Sequence, residues 1–515
     1  MMFIFKKFIV IVILLAFACI NGSCESENIT FHKSFNSSSD DKGQYEEVLN
    51  LEKRVRSLEQ PVWQISDDRN RWVQCLEGPC KCRPEMKSLS CWQLELPDLP
   101  FGQIVPHDVQ MIDLAMNQLT TLNKEAFKAL PRLIEIDLFD NQIDYLPAGT
   151  FNQLYNLQYL RMHKNNMKRL PNQIFSALQK LKNIDLSNNN IEVLSEKLFK
   201  SCLNLVVLHL SGNNLESVPE NIFNNLLKLE DLDLNENKLQ NISVSTFKNL
   251  RNLKRLKLGQ NYLSELPTGV FKGLQQLIYL NLRKNSITYV NSMLFLHLSN
   301  LRVLDLSGND IQQIDLNAFV TLVNIKELHL EQNYISEIPE GLFRKNENLD
   351  KLFLFSNNLE TLMRRSFLGL KKVSLLLLNN NLLKDFHSET FRFVPNLQKL
   401  HLDGNKLQYL PSRSLDGLIH LISIRLAKNP WHCDCTILYL AEWVSDNKQK
   451  LWDSQPLCRS PNKFGGIALM EMDFNVLCDG HWASRFHLSA RLPIRPVVFP
   501  PPKTNLTTFK EIMTL

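Results

Sequence analysis

Leu205-Val206-Val207-Leu208-His209-Leu210-Ser211-Gly212-Asn213-Asn214-Leu215 is the stretch that decides the fold of this chain. Leucines stand at offsets 1, 4, 6 and 11 and an asparagine at offset 9. Leu208 and Leu210 are two apart and share one face of a short strand, with Val207 and His209 on the other. The same asparagine returns every 24 residues, from Asn117 and Asn141 through Asn261 to Asn429. A phenylalanine keeps the same interval from Phe127 and Phe151 to Phe391. A fixed period of this length marks a solenoid, in which each unit buries its apolar face only against its neighbours.

The stretch matches LxxLxLxxNxL and resembles the 24-residue leucine-rich repeat of extracellular proteins, over about Val109 to Asn429. The resemblance implies an α/β-type leucine-rich repeat solenoid, a horseshoe. It would carry a parallel β-sheet on the concave face, irregular turns and short helices on the convex face, and disulfide caps at both ends. It also implies that each ladder asparagine bonds main-chain groups of adjacent turns. Losing one would leave buried polar groups unpaired, at about 1–3 kcal/mol. Proline in Leu146-Pro147, Leu170-Pro171 and Leu266-Pro267 suits a turn that needs no ladder donor. The phenylalanines are expected to stack as a spine inside the convex side. All three features read as structural.

Both ends of such a stack expose core unless covered. Cys75, Cys80, Cys82 and Cys91 precede the repeats, and Cys433, Cys435, Cys458 and Cys478 follow them. Asn429-Pro430-Trp431-His432-Cys433-Asp434-Cys435, with Trp443 and Cys458-Arg459-Ser460-Pro461 beyond, resembles the C-terminal flank of secreted leucine-rich repeat proteins such as Slit, the Nogo receptor ectodomain and the acid-labile subunit. Four cysteines allow three connectivities, so spacing leaves the pairing open. The resemblance implies Cys75–Cys82, Cys80–Cys91, Cys433–Cys458 and Cys435–Cys478. A zinc reading of either cluster suits an oxidising compartment poorly. Cys202 replaces the leucine of Leu154, Leu178 and Leu226 and reads as a buried thiol filling core.

The compartment is read from the start of the chain. Lys6 and Lys7 precede an apolar run, Phe8 to Ile20, too short to span a bilayer, and Asn21-Gly22-Ser23 follow. This predicts a secretory signal peptide over 1–23. Sequons place glycan acceptors at Asn28, Asn36, Asn241 and Asn505. The expectation is a secreted, extracellular glycoprotein with no stable membrane anchor. Residues 24–74 form a polar segment in which Val48, Leu51, Val55, Leu58 and Val62 outline a short amphipathic helix stopped by Pro61. We read that helix as docked on the N-terminal cap near Trp63 and Trp72. The alternative is a weak homo-oligomer formed through this segment or through Cys24. A cysteine-rich cap over 75–108, repeats over 109–428, a second cap over 429–479 and a proline-containing flexible tail over 480–515 complete the division.

The formal net charge of +5, from 58 basic and 53 acidic residues, is too balanced to argue for nucleic acid or a membrane surface. No repeat supplies a paired nucleophile and base, a phosphate loop or an HExxH motif. The chain therefore reads as a non-enzyme without cofactor or metal. His163, His209, His329 and His401 fall at exposed strand or turn offsets. Asp113, Asp137, Asp185, Asp233 and Asp305 share one concave offset. Aspartate is ordinary there, which outweighs a paired-carboxylate glycosidase reading.

Function is then sought on the concave face, since the fold does not dictate a ligand. Most units turn polar residues inward, such as Asp231, Asp233, Asn235 and Glu236. Two neighbours break the rule: Lys351–Phe355 presents Phe353 and Phe355, and Ser374–Leu378 presents Leu375 and Leu377. Stacked strands lie about 4.8 Å apart, so the four form one patch. His329, Glu331, Lys399 and His401 give it a polar rim, as in a protein–protein hot spot. A second candidate is Met116, Phe139 and Tyr159 beside Glu135, Asp137 and Asp140, suited to a basic partner. These residues predict a secreted recognition protein that binds an extracellular protein ligand through its concave face. The alternatives are a non-catalytic carrier or stabilising subunit of a secreted enzyme or hormone complex, and a matrix or adhesion protein.

Overall fold

The computed structural model describes residues 39–452 and 454–472. The expected signal peptide, Cys24, the acceptors Asn28, Asn36 and Asn505, Cys478 and the tail 480–515 lie outside the described residues.

One sheet of 16 strands runs through the molecule. Its first pair, Lys81–Arg83 with Ser88–Ser90, is antiparallel. Every later pairing, as far as Ser423–Arg425, is parallel, and in the repeats each strand matches the next one period on. Strands of three residues suffice because only the middle one enters the core. Leu208, Leu232 and Leu256 are each fully buried there, and their neighbours face the concave side.

The asparagine ladder is observed as expected. Asn213 Nδ2 donates to the carbonyls of Leu186 and Leu210 at 3.0 Å, while its Oδ1 accepts the N–H of Ile191 at 2.9 Å. One side chain therefore satisfies main-chain groups of two turns that no ladder hydrogen bond reaches. The residue before the asparagine is forced left-handed, as at Lys164 with φ 53° and Lys284 with φ 49°, and glycine fills that place at Gly212. A Cβ on Gly212 would also lie 2.5 Å from Asn188 Oδ1.

The phenylalanines form the convex spine. Phe175 and Phe199 stack with centroids 5.9 Å apart, and Phe319 and Phe343 with centroids 6.2 Å apart, all fully buried. A second asparagine ladder accompanies them on the outside. Asn204, Asn252 and Asn300 each donate to a carbonyl of the preceding turn, of Gln179, Leu227 and Gln275 respectively, at 2.7–2.9 Å. The convex side is mostly turns. Among the described repeat residues its helical content is the single 3₁₀ turn Thr390–Phe393, and short parallel pairs such as Thr361–Leu362 with Asp385–Phe386 occur elsewhere. Cys202 is fully buried and unpaired, and desolvation pushes its thiol up to about 12.

The caps carry Cys75–Cys82, Cys80–Cys91 and Cys433–Cys458, the pairings implied by the resemblance. Cys435 is disulfide-bonded as well. In the first cap Gln103 is fully buried; its Nε2 donates to the carbonyls of Cys75 at 3.0 Å and Ile104 at 2.9 Å, and its Oε1 accepts the N–H of Cys80 at 3.0 Å. Trp431 plugs the other end, with Nε1 donating to the carbonyl of Leu426 at 3.2 Å.

The N-terminal helix, Ser39–Leu58, departs from expectation. Its last turn docks by polar groups: Arg56 pairs with Asp144, Ser57 is buried, and Asn123 Nδ2 donates to the carbonyls of Leu58 and Gln60. Val55, Leu58 and Val62, the residues expected to face the cap, are 45–64 % exposed. Trp63 does enter the core, beside the parallel pair Gln64–Ser66 and Ile104–Pro106, and Trp72 packs against it.

Candidate ligand-binding face

Each strand turns two side chains to the concave face, so strand register sets which residues meet there. His329, Phe353, Leu377 and His401 are consecutive partners in one row. Glu327, Lys351, Leu375 and Lys399 are consecutive partners in the adjacent row. Phe353 and Leu377 are therefore directly opposed, and both are half-buried. Leu375 sits between Lys351 and Lys399 rather than against an apolar partner in its own row. Phe355 lies past the strand end, also half-buried. The patch is thus an apolar row, Phe353 with Leu377, with Leu375 and Phe355 flanking it.

The rim is electrically asymmetric. On one side His329 stacks on Phe353, with centroids 4.2 Å apart, and its Nδ1 lies 3.2 Å from Glu331 Oε1. Burial disfavours the imidazolium, yet the hydrogen bond and charge of Glu331, with Asp305 and Glu327, raise the His329 pKa above its ordinary value. On the other side burial, Arg425 and Lys399 lower the pKa of His401 against the opposing pull of Asp403. Lys351 is neutralised by Glu327 at 2.8 Å. The patch therefore grades from acidic surroundings at His329 to basic ones at His401.

Towards the middle of the sheet the concave face is closed by its own charges. Asp231 and Asp233, expected to face solvent, are 6 % and 7 % exposed. Arg255 lies across Asp231 and Lys257 across Asp233, each at 2.8 Å. His209 stands 3.8 Å from Asp185 and 3.9 Å from Asp231, and these two carboxylates hold its pKa up at about 9 against desolvation. Burial opposes ionisation of Asp185, but His209 and Ser187 hold its pKa down at about 2. The histidines expected at exposed offsets are thus half-buried. Opposite charges one period apart, as at Asp231 and Arg255, are the sequence signal for this pairing, which the expectation of solvent-facing carboxylates passed over. The recurrent aspartates have a structural use as well: Asp113, Asp137, Asp185, Asp233 and Asp305 each accept the N–H two residues on, at 2.9–3.0 Å.

The second, N-terminal candidate is largely occupied internally. Arg161 pairs with both Glu135 and Asp137, and Phe139 stacks on His163 under Lys164. The acidity proposed to attract a basic partner is neutralised at its centre. Asn241 is exposed on the descending side of its turn, away from the concave strands. Among the described residues no group of three or more His, Cys, Asp or Glu side chains is arranged to hold a metal, and no helix is long and apolar enough to cross a membrane.

Comparison with known proteins agrees with this geometry. A leucine-rich repeat family model matches residues 203–263, 251–311, 279–335, 323–383 and 372–430. A model described as a BspA type leucine-rich repeat region matches residues 108–230. Among curated relatives, the leucine-rich repeat and immunoglobulin-like domain-containing Nogo receptor-interacting protein 1 of Xenopus tropicalis is 33 % identical over 70 residues, covering 14 % of this chain and 11 % of the relative. Among solved structures, that of a TLR13–ssRNA13 complex superposes with a TM-score of 0.63 at 28 % identity, over 72 % of this chain and 54 % of that one. Toll of Drosophila in its complex with Spatzle gives a TM-score of 0.61 at 22 % identity, over 74 % of this chain and 57 % of that one. The chain spans less than two thirds of these relatives' lengths. Neither the family models nor the relatives indicate an enzyme family.

Proposed function

The chain is a leucine-rich repeat protein with an ectodomain-like fold, and on that premise we propose that it is a secreted recognition protein that binds another extracellular protein through its concave face. The observation that carries this reading is the row His329–Phe353–Leu377–His401. It sets two half-buried apolar side chains in direct register between two histidines, whereas the middle of the same face carries paired charges. A buried aromatic anchor within a polar rim is the arrangement by which protein interfaces concentrate their binding energy. The three disulfides within the caps fit an oxidising compartment.

The graded rim defines the partner further. Basic side chains suit the edge at Glu331, acidic ones the edge at Lys399 and Arg425, and an apolar anchor the space between. A polyanion such as nucleic acid suits the face poorly, because Asp113, Asp137, Asp185, Asp233 and Asp305 recur along it.

The test is affinity capture from extracellular fluid with the native protein and with a Phe353→Asp/Leu377→Asp variant that still folds. A protein retained by the native bait and lost by the variant supports the reading. Equal capture by both removes the patch as the binding site. Stoichiometric recovery of one secreted enzyme would identify the ligand as a catalytic partner and this chain as its carrier subunit.

A further inference from the structure

A second surface lies at the other end of the sheet, where the repeats meet the N-terminal cap. Two rows cross there. Arg83, Ser88 and Met111 are consecutive partners in one, and Lys81, Ser90 and Asp113 in the other. The two serines are small and stand between larger side chains on both sides. The result is an open trough of about 540 Å³ along the strand Ser88–Ser90, with Met86 beside it and Trp92 at its end. Met86 is 54 % exposed and Trp92 51 %. A tryptophan left half in water at the mouth of a groove retains much apolar surface that a ligand can cover.

The charges of the trough are unbalanced. Its one carboxylate, on Asp113, is committed internally: Oδ2 accepts from Ser90 Oγ at 2.9 Å and Oδ1 from the N–H of Ala115 at 3.0 Å. Lys81 and Arg83 are exposed and have no ion-pair partner among the described residues. Their strand is the last of the sheet, so nothing of the sheet covers it on the outside. The apolar side chains of Met86, Trp92 and Met111 beside two unmatched cations select a ligand with an apolar body and negative charge. The trough follows one strand direction and is open along its length, which fits extended chain.

We propose that this trough docks an extended acidic peptide segment of a partner protein. The segment lays a large apolar side chain over Ser88 and Ser90 against Trp92 and sets its carboxylates at Lys81 and Arg83. The site is separate from the Phe353–Leu377 row and does not depend on it.

The probes are a labelled hexapeptide of alternating aspartate and phenylalanine, a lysine–phenylalanine counterpart, an aspartate–alanine counterpart and heparin, each titrated against the full chain by fluorescence anisotropy. The aspartate–phenylalanine peptide is expected to bind saturably, at least tenfold tighter than either peptide counterpart. Ser90→Trp, which fills the trough, and Lys81→Glu/Arg83→Glu, on exposed side chains that leave the core untouched, should each weaken it at least tenfold. Phe353→Asp/Leu377→Asp should leave it unchanged, so this result is independent of the proposed concave-row function. Absence of saturable binding, equal binding of the aspartate–alanine peptide, heparin binding that survives Ser90→Trp, or loss of peptide binding in the Phe353→Asp/Leu377→Asp variant overturns the assignment.

Discussion

His329 lies face to face with Phe353, their ring centroids 4.2 Å apart and their planes within 8° of parallel. The pair extends the apolar row by one repeat and couples its edge to a titrating group. His401, on the far side of Leu377, feels the opposite field. The two imidazoles should therefore titrate in a fixed order, His329 above its ordinary range and His401 below it. A histidine-resolved NMR titration checks this; the reverse order would contradict the electrostatic account of the rim.

His209 should make stability pH-dependent on the alkaline side. Its folded pKa of about 9 lies above the ordinary imidazole value of 6.5. The contribution is therefore fully present below about pH 6.5 and is lost as pH rises through about 9. His209→Gln should destabilise the protein by roughly 1–2 kcal/mol at pH 6, the solvent-screened share of such a shift. Near pH 10 the difference should vanish. Urea unfolding of both proteins at the two pH values measures it.

The two asparagine ladders should differ in weight. Asn261→Ala removes the acceptor of the Leu239 N–H and the donor to the carbonyls of Leu234 and Leu258, all buried. The Leu234 and Leu258 carbonyls keep Asn237 and Asn285 as donors, so the Leu239 N–H is the group left unpaired out of water, and a loss of about 1–3 kcal/mol is expected. Asn252→Ala removes one exposed bond to the carbonyl of Leu227 and should cost about 0.5–1.5 kcal/mol. Comparable losses in equilibrium unfolding would mean that burial is not what separates the ladders.

Gln103 should act as the polar pin of the first cap. Gln103→Leu leaves the Cys80 N–H unpaired in a fully buried place and takes one of its two donors from the Cys75 carbonyl, which keeps the Gly78 N–H, at about 1–3 kcal/mol. Gly78→Ala should damage the same spot sterically, because its Cβ would lie 2.1 Å from Gln103 Oε1. Limited proteolysis should show earlier cleavage in the cap of both variants, with the repeats still protected.

Cys202 should be silent until the protein unfolds. Its thiol is fully buried and held mostly protonated, and only the thiolate is nucleophilic. Iodoacetamide should leave it unmodified in the native protein at pH 8 and modify it in denaturant, as read by mass spectrometry. Rapid native labelling would show that this turn opens.

Much of the architecture was legible in the chain because each repeat solves the same local problem. The ladder asparagines, the phenylalanine spine and Cys202 as core follow from a period of 24 and one offset apiece, and Trp431 as part of a cap follows from the resemblance of its flank. The docking of the N-terminal helix was not legible. Its heptad pattern points Val55 and Leu58 at a partner, while Arg56, Ser57 and Asn123 make the contacts observed. A hydrophobic pattern records which face is apolar, not which face finds a complementary neighbour. Gln103 was equally hidden, since one glutamine carries no pattern and becomes a hub only where two disulfides and a strand converge around it.

The sequence by itself determined the solenoid, its register and the identity of the residues on each face, because a strict period makes every turn meet an equivalent one. The tertiary structure alone decided what those faces do. It paired Phe353 with Leu377 and set Leu375 between lysines. It folded Arg255 and Lys257 over aspartates that the pattern left in solvent, and it opened a trough at two serines. Neighbours across a sheet lie 24 residues apart in the chain, and the balance of charge, size and burial among them is set only when the strands stack.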